Sequence, residues 1–291
     1  VDTDQMKDTP RYTVRSDFEG PEEAHDWMRV HMDSLRACAH WAEQESGTVG
    51  DRSPELLAAG LRAARALGDR GLEAWVRHLR GLALLDSGDL EGADQEFVAS
   101  LMLAEVHGDD RARAASLEAR GVVAQRDRRD QEALDLFDLV EPLRDPKGRP
   151  RGTAVLDLLR GRSLVTLGRF DHALERLDAA REVFAPSGGG AVDEVNLARV
   201  RLERGRALNG KRRGEEARDE LELSLAGFEA RGHTVQMARV REALAGVTQL
   251  AGEKNWMDHL LEAERLYREI GSEAEAERIR SFLPRDRSPG G

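Results

Sequence analysis

The chain has 291 residues, a formal net charge of -11, a pI near 5.4, 34% charged side chains and only 4% aromatic ones. That balance excludes a protein that coats nucleic acid through a broad basic face, since phosphates must be neutralised by cations. Cys38 is the sole cysteine, which excludes an internal disulfide and fits a reducing, cytoplasmic setting, and no apolar run approaches the ~18 residues of a membrane helix.

Taken in chain order, residues 1–17 show no helical periodicity, and Val1 to Lys7 lack the apolar core of a signal peptide, so a mobile tail is expected. Val1 stands where Met would open a complete chain, which leaves room for a longer polypeptide. Residues 18–70 read as an atypical helix pair. Its long amphipathic helix covers 21–45, with Pro21 in the first turn and Trp27, Leu35, Cys38 and Trp41 toward the core, and a second helix runs from Pro54 to Leu67.

From 71 to 271 the sequence repeats. Arg-Gly pairs stand at Arg80-Gly81, Arg120-Gly121, Arg160-Gly161 and Arg204-Gly205, at spacings of 40, 40 and 44. Twelve residues after each glycine comes Ala93, Ala133, Ala173 or Ala217, and four further on Phe97, Phe137, Leu177 or Leu221. A degenerate fifth copy follows around Gly246. Turn residues separate the Gly and Ala columns, as in Ser87-Gly88-Asp89 and Leu167-Gly168-Arg169, so each unit is a helix, a tight turn and a second helix. Small Gly and Ala let the two antiparallel helices approach, and the bulky residue one turn later fills the seam. One such pair cannot bury its apolar face alone, so pairs must stack. The loops between units are Gly108-Asp109-Asp110, the 145–150 segment, the linker Pro186 to Gly190 and Arg231-Gly232-His233. Residues 272–283 read as a capping helix and 284–291 as a disordered tail.

These columns resemble the tetratricopeptide repeat, over about residues 71 to 271. The resemblance implies an all-α fold, a right-handed superhelical solenoid of antiparallel helix pairs, here in units near 40 residues rather than the usual 34. The usual Leu before the Gly is Arg here, and the usual Tyr three later is Leu84, Ala124, Leu164 or Leu208. The entry segment, with Ala24, Trp27 and Leu35, is similar to the C-terminal tetratricopeptide sensor of bacterial STAND-type NTPase regulators that control antibiotic production. His31 and Ser34 depart from that pattern. The similarity implies a sensing or autoinhibitory arm in signal transduction and transcriptional regulation, joined covalently to an NTPase module outside this chain. A free-standing scaffold without an ATPase is the alternative, and an enzyme with a helical active site a further one.

No catalytic, cofactor-binding or metal residues are expected. The Gly210-Lys211 pair has no upstream Gly at phosphate-loop spacing and is followed by Arg212-Arg213, so ATP hydrolysis is not anticipated. His25, His31 and His40 near Cys38 are spaced wrongly for one helical face, and Cys38 reads as a core thiol. The carboxylate runs read as solvated faces, and Gly188-Gly189-Gly190 as a flexible linker.

Two readings of the Arg80, Arg120, Arg160, Arg204 column stand. One is an intramolecular ladder with Gln95, Asp135, Glu175 and Asp219 on the second helices, which the matching periodicity favours; the other is an anion-binding stripe. In the resembled architecture the inner groove is lined by first helices. That gives His78 and Asp86, then Glu118, Gln125 and Arg126, then Arg162 and Thr166, then Arg206 and Asn209. The expected partner is a protein or peptide, acidic if the track of Arg126, Arg162 and Arg206 serves recognition, with no direct nucleic acid contact and no membrane.

Overall fold

The computed structural model describes residues 18, 20–44, 54–144, 150–186 and 190–283, without the side chains of 34 and 36–44. The expected tails, Gly188-Gly189, most of the 145–150 loop and the side chains of Cys38, His40 and Trp41 lie outside the described residues.

All regular structure among the described residues is helical. In chain order come α1 (Pro21–Gln44), α2 (Pro54–Leu67), α3 (Arg70–Ser87), α4 (Leu90–His107), α5 (Asp110–Arg126) and α6 (Asp130–Val140). A 3-10 turn (Glu141–Leu143) precedes α7 (Pro150–Thr166), α8 (Phe170–Phe184), α9 (Glu194–Gly210), α10 (Gly214–Glu229), α11 (Thr234–Leu250), α12 (Trp256–Glu269) and α13 (Glu273–Phe282). Local chemistry sets these boundaries. Asp69, Asp89, Asp109 and Asp193 cap helices by accepting from the backbone N–H of Leu72, Gly92, Ala112 and Asn196 at 2.9 to 3.2 Å. Gly88, Gly168 and Gly252 turn the chain out of α3, α7 and α11 with φ of 86°, 73° and 75°. Arg128 and Arg212 hold the corresponding left-handed position after α5 and α9 at φ 62°, where a Cβ is disfavoured.

The helices form two compact units, Val1–Asp127 with Leu139–Leu143, and Arg128–Asp138 with Arg144–Gly291. Inside the first, α1 packs on α2, α2 on α3, α3 on α4 and α4 on α5, and α3 also touches α5. Inside the second, each helix from α7 to α13 packs on the next. There α7 also meets α9, and α9 meets α11, whereas α8, α10 and α12 do not reach one another among the described residues. The odd-numbered helices therefore occupy the tight side of the second unit's curve. This is the arrangement of an α-solenoid, each hairpin burying its apolar face on the next.

The repeated columns build the seams. A Cβ added to Gly81 would lie 2.5 Å from the Phe97 ring, and one on Gly161 or Gly205 would lie 2.6 Å from Leu177 or Leu221. The bulky side chain of the second helix thus occupies the space a side chain on the first would need. Ala93, Ala173 and Ala217 are fully buried beside these contacts. The degenerate fifth copy centres on Ala245 rather than Gly246: Ala245 stands where the earlier helices carry Gly and is buried, in one apolar cluster with Leu260, Leu266 and Tyr267 of α12. Two buried hydroxyls add a tie that the columns did not suggest. Ser100 Oγ donates to the Ala74 carbonyl at 2.8 Å, and Ser224 Oγ to the Ala198 carbonyl at 2.7 Å.

At the end of the second unit, Glu242 of α11 accepts from the Tyr267 hydroxyl at 2.7 Å and from Arg278 of α13 at 2.8 Å. Burial, with the Glu242 carboxylate, pushes the Tyr267 phenol well above its ordinary range. Ala276, Ile279 and Leu283 face inward, and the rest of α13 from Glu273 is exposed.

Candidate functional site

The arginine column is an ion-pair ladder, with partners other than those its sequence register suggests. Arg80 pairs with Glu96 of α4 at 2.9 Å and Arg120 with Asp94 of α4 at 2.8 Å. Arg160, almost wholly buried, donates to Asp138 at 2.8 Å and to the Phe137 carbonyl at 3.1 Å. Arg204 bridges Glu220 of its own hairpin, at 2.9 Å, and Asp178 of the preceding one. Gln95, Asp135, Glu175 and Asp219 are not the ladder's acceptors. The guanidinium reaches sideways to the previous second helix as well as across its own seam, so a register drawn within one repeat misses half the partners. Asp138 and Asp178 directly follow the seam residues Phe137 and Leu177; α4 has Val98 at that place, and Arg120 instead takes Asp94, one turn earlier.

The pairs extend into networks. In the first unit Arg65, Glu73, Arg77, Glu96 and Arg80 alternate in charge across α2, α3 and α4, at 2.9 to 3.1 Å. Burial pulls the Glu73 carboxyl up, but hydrogen bonds from Arg65 and Arg77 outweigh it and hold the pKa below the usual range. In the second unit Arg181, Asp178, Arg204 and Glu220 close a ring joining α8, α9 and α10. These arginines are structural ties.

The surface left open is the side of the odd-numbered helices turned away from their even-numbered partners. In the second unit its stripes, spaced by three and four residues, are Val155, Leu159, Arg162 and Thr166 on α7, Arg199, Glu203, Arg206 and Gly210 on α9, and Arg239, Ala243, Gly246 and Leu250 on α11. All but Glu203 are at least partly exposed, and Val195 and Val235 extend the last two toward their N-termini. Arg199 Nη1 donates to Asn196 Oδ1 at 3.0 Å, Arg239 Nη1 contacts Gln236 Oε1 at 3.5 Å, and Arg206 lies 3.4 Å from Glu203. Asn196 is itself anchored: its amide donates to Asp193 Oδ2 at 2.9 Å, and Arg151 donates to the same oxygen at 2.9 Å. Burial raises the Asp193 carboxyl, yet the bonds from Asn196 and Arg151 outweigh it and keep the pKa low.

The nine residues expected in the groove divide between the units. In the first, His78 turns its ring to Phe97, centroids 5.3 Å apart, with Nδ1 buried and unpartnered. Desolvation lowers its pKa to about 4, so it is a seam residue rather than a surface contact. Asp86 is exposed, Glu118 half-buried and Gln125 buried, and Arg126 donates to the Leu85 carbonyl at 2.6 Å. In the second unit Arg162, Thr166 and Arg206 lie on the open stripes, Thr166 Oγ1 donating to the Arg162 carbonyl at 3.2 Å, and Asn209 sits half-buried beside Gly246 of α11. Sequence reasoning missed Arg199 and Arg239. Their signal was available: each falls six residues before Gly205 or Ala245, at the same turn of successive helices.

Among the described residues no three His, Cys, Asp or Glu side chains stand together as metal ligands, and no helix is long and apolar enough to cross a membrane. His31 stacks on Trp27 at 4.3 Å, and its Nδ1 lies 2.8 Å from the Trp27 carbonyl.

No family model matches the chain. None of the curated proteins matches it either. Among solved structures, BtubC (BKLC) from P. vanneervenii is similar at 16% identity and a TM-score of 0.47, over 92% of this chain and 96% of its own.

Proposed function

We propose that the chain is a non-catalytic, tetratricopeptide-like protein-interaction module whose odd-numbered helices receive a segment of another protein, and that it acts as the sensor or autoinhibitory arm of a cytoplasmic transcriptional regulator. The observation that carries the binding reading is the face of α7, α9 and α11. Three neighbouring helices on the inside of a curve leave Val155, Arg206, Arg239 and Leu250 at least partly exposed, while Leu177 and Leu221 fill the α7–α8 and α9–α10 seams behind them. Concave surfaces of stacked hairpins suit extended or helical segments, because successive helices repeat the same contacts at a fixed pitch. The regulator reading draws its support from the entry segment: Ala24 and Leu35 are fully buried and Trp27 packs among Phe18 and His31, so the positions that resemble sensor arms are framework positions.

A photo-crosslinking amino acid placed at Arg206 tests the binding reading, with Leu223 on the outer face of α10 as its control. The expected result is a discrete crosslinked protein from the native cytoplasm at Arg206 and none at Leu223. No adduct, or the same adducts from both sites, overturns it. The regulator reading is checked by reading the gene upstream of the Val1 codon, where a P-loop and a winged helix are expected; an unrelated upstream frame would leave a free-standing adaptor.

A further inference from the structure

We propose that the cleft at the start of α9 binds a free amino acid with a branched aliphatic side chain, its carboxylate on Arg231, its ammonium on Glu194 and its side chain among Val183, Val192 and Val195. This is a small-molecule site, beyond the reading of a bound protein segment and tested apart from it.

The cleft has a volume of about 490 Å³, within the about 300–1,000 Å³ usual for small-molecule sites. The starts of α7 and α9, the end of α8 and the connection between α10 and α11 border it. It forms where the connection from α8 to α9 is long, covering 185–193 against 230–233 and 270–272 for the next two of its kind. The end of that connection is tied down. The Asp193 N–H donates to the Phe184 carbonyl at 2.8 Å, and the Arg151 and Asn196 side chains both donate to Asp193 Oδ2 at 2.9 Å. Connecting chain held in place by rigid helices is where binding groups are commonly presented.

The charged groups at the border divide into a committed pair and a free pair. Arg151 neutralises Asp193, whose Oδ1 accepts from the Asn196 N–H at 3.2 Å. Arg231 and Glu194 are exposed, and among the described residues neither side chain has an ion-pair or hydrogen-bond partner, the other included. One guanidinium and one carboxylate are therefore open to a ligand. An anion alone would meet the like charge of Glu194, a cation alone that of Arg231, and a wholly apolar body would desolvate both groups without compensation. A zwitterion gives each of them a charge-assisted hydrogen bond.

The apolar part of the border is aliphatic. Val183 of α8 and Val192 of the connection are exposed, and Val195 of α9 is partly so. Phe184 borders the cleft too, but it is almost wholly buried, so a bound aromatic ring would gain no stacking partner. A branched aliphatic side chain laid on the valines takes apolar surface of both partners out of water.

The test titrates the full chain by calorimetry with L-leucine and with three compounds that each lack one of its features. They are 4-methylpentanoate, without the ammonium; 3-methylbutylamine, without the carboxylate; and L-alanine, without the branched side chain. Saturable binding is expected for L-leucine, with each of the other three weaker by about tenfold or more. Arg231→Gln and Glu194→Gln should each weaken L-leucine by about the same factor, and Leu223→Ser on α10 should leave it unchanged. Positions 194 and 231 are exposed, and an unchanged circular dichroism melt confirms that both variants fold. No binding of L-leucine, equal binding of any of the three compounds, or full affinity in either cleft variant overturns the proposal. None of these results touches the crosslink at Arg206, which decides the protein-segment reading by itself.

Discussion

In the first unit the corresponding positions of α3 and α5 carry Trp75, Leu82, Ala115 and Val122, of which Trp75 and Leu82 pack on the core of α1 and α2, and Arg126 nearby donates to the Leu85 carbonyl. In the second unit the same helical positions hold Arg162, Arg199, Arg206 and Arg239, two of them steadied by amides. Behind these faces the two units are built alike, with glycine under Phe97 in one and under Leu177 and Leu221 in the other, and with a serine of the second helix tied to a carbonyl of the first. The lesson is a separation of duties. Seam positions are fixed by contacts that a single methyl group would break, while the open stripe is free to differ between hairpins and carries what is specific to each.

The strongest way to break that comparison is to add the methyl. Gly81→Ala and Gly205→Ala should each lose about 1–3 kcal/mol in denaturant unfolding, against the usual helical preference for Ala. Gly246→Ala, whose new Cβ would meet only Asn209 Nδ2 at 3.6 Å, should gain up to about 1 kcal/mol. Equal effects at all three would show that helix propensity, not the seam, decides.

Next comes Arg204→Met, which leaves both Asp178 and the half-buried Glu220 to Arg181 alone, at 3.3 and 3.8 Å, and should cost about 1–3 kcal/mol. Arg80→Met in the first unit should cost less, about 1 kcal/mol, because Glu96 keeps Arg77 as a partner at 3.1 Å. A double-mutant cycle with Glu220→Gln reads the coupling.

The third effect separates the units by pH. His78 has a folded pKa of about 4 against 6.5 for the free side chain, so the folded state prefers it neutral. Stability from this group is complete above pH 6.5 and falls as the pH drops toward 4, by on the order of 1–2 kcal/mol for a ring that is partly exposed. His259 in the second unit is depressed in the same direction, by burial first and then by Arg241. His78→Phe should flatten most of the pH 4–6.5 slope in thermal melts; an unchanged slope would assign it elsewhere. Smallest, Arg128→Gly and Arg212→Gly relieve left-handed backbone and should each gain about 0.5–1 kcal/mol.

Much of the framework could be read from the sequence, because close approach between helices leaves a residue-level mark. Only small residues tolerate a ring or a leucine against the backbone, so Gly81, Gly161 and Gly205 announce the seam. The ladder was legible in kind and not in pairing. Long flexible arginines reach either adjacent second helix, and Arg120 moved to Asp94 once Val98 took the neighbouring place. The open face was half legible. Arg162 and Arg206 followed from their offset to the glycines, whereas Arg239 was lost when the fifth repeat was centred on Gly246, one residue past Ala245. His78 looked like a surface group and is a seam residue, since its helical phase lies between the stripe and α4.

The step from Gly161 to Gly205 is 44 residues where the others are 40, yet Gly205 seats Leu221 as Gly161 seats Leu177. The surplus lies in the loop between α8 and α9, which a bond from the Asp193 N–H to the Phe184 carbonyl at 2.8 Å pulls shut. Such tolerance means that an array of this kind can grow by duplication of one hairpin without rewriting the rest. Each copy of α9 and its partner would bring its own glycine seat and covering leucine, so the framework could lengthen one seam at a time over evolutionary time.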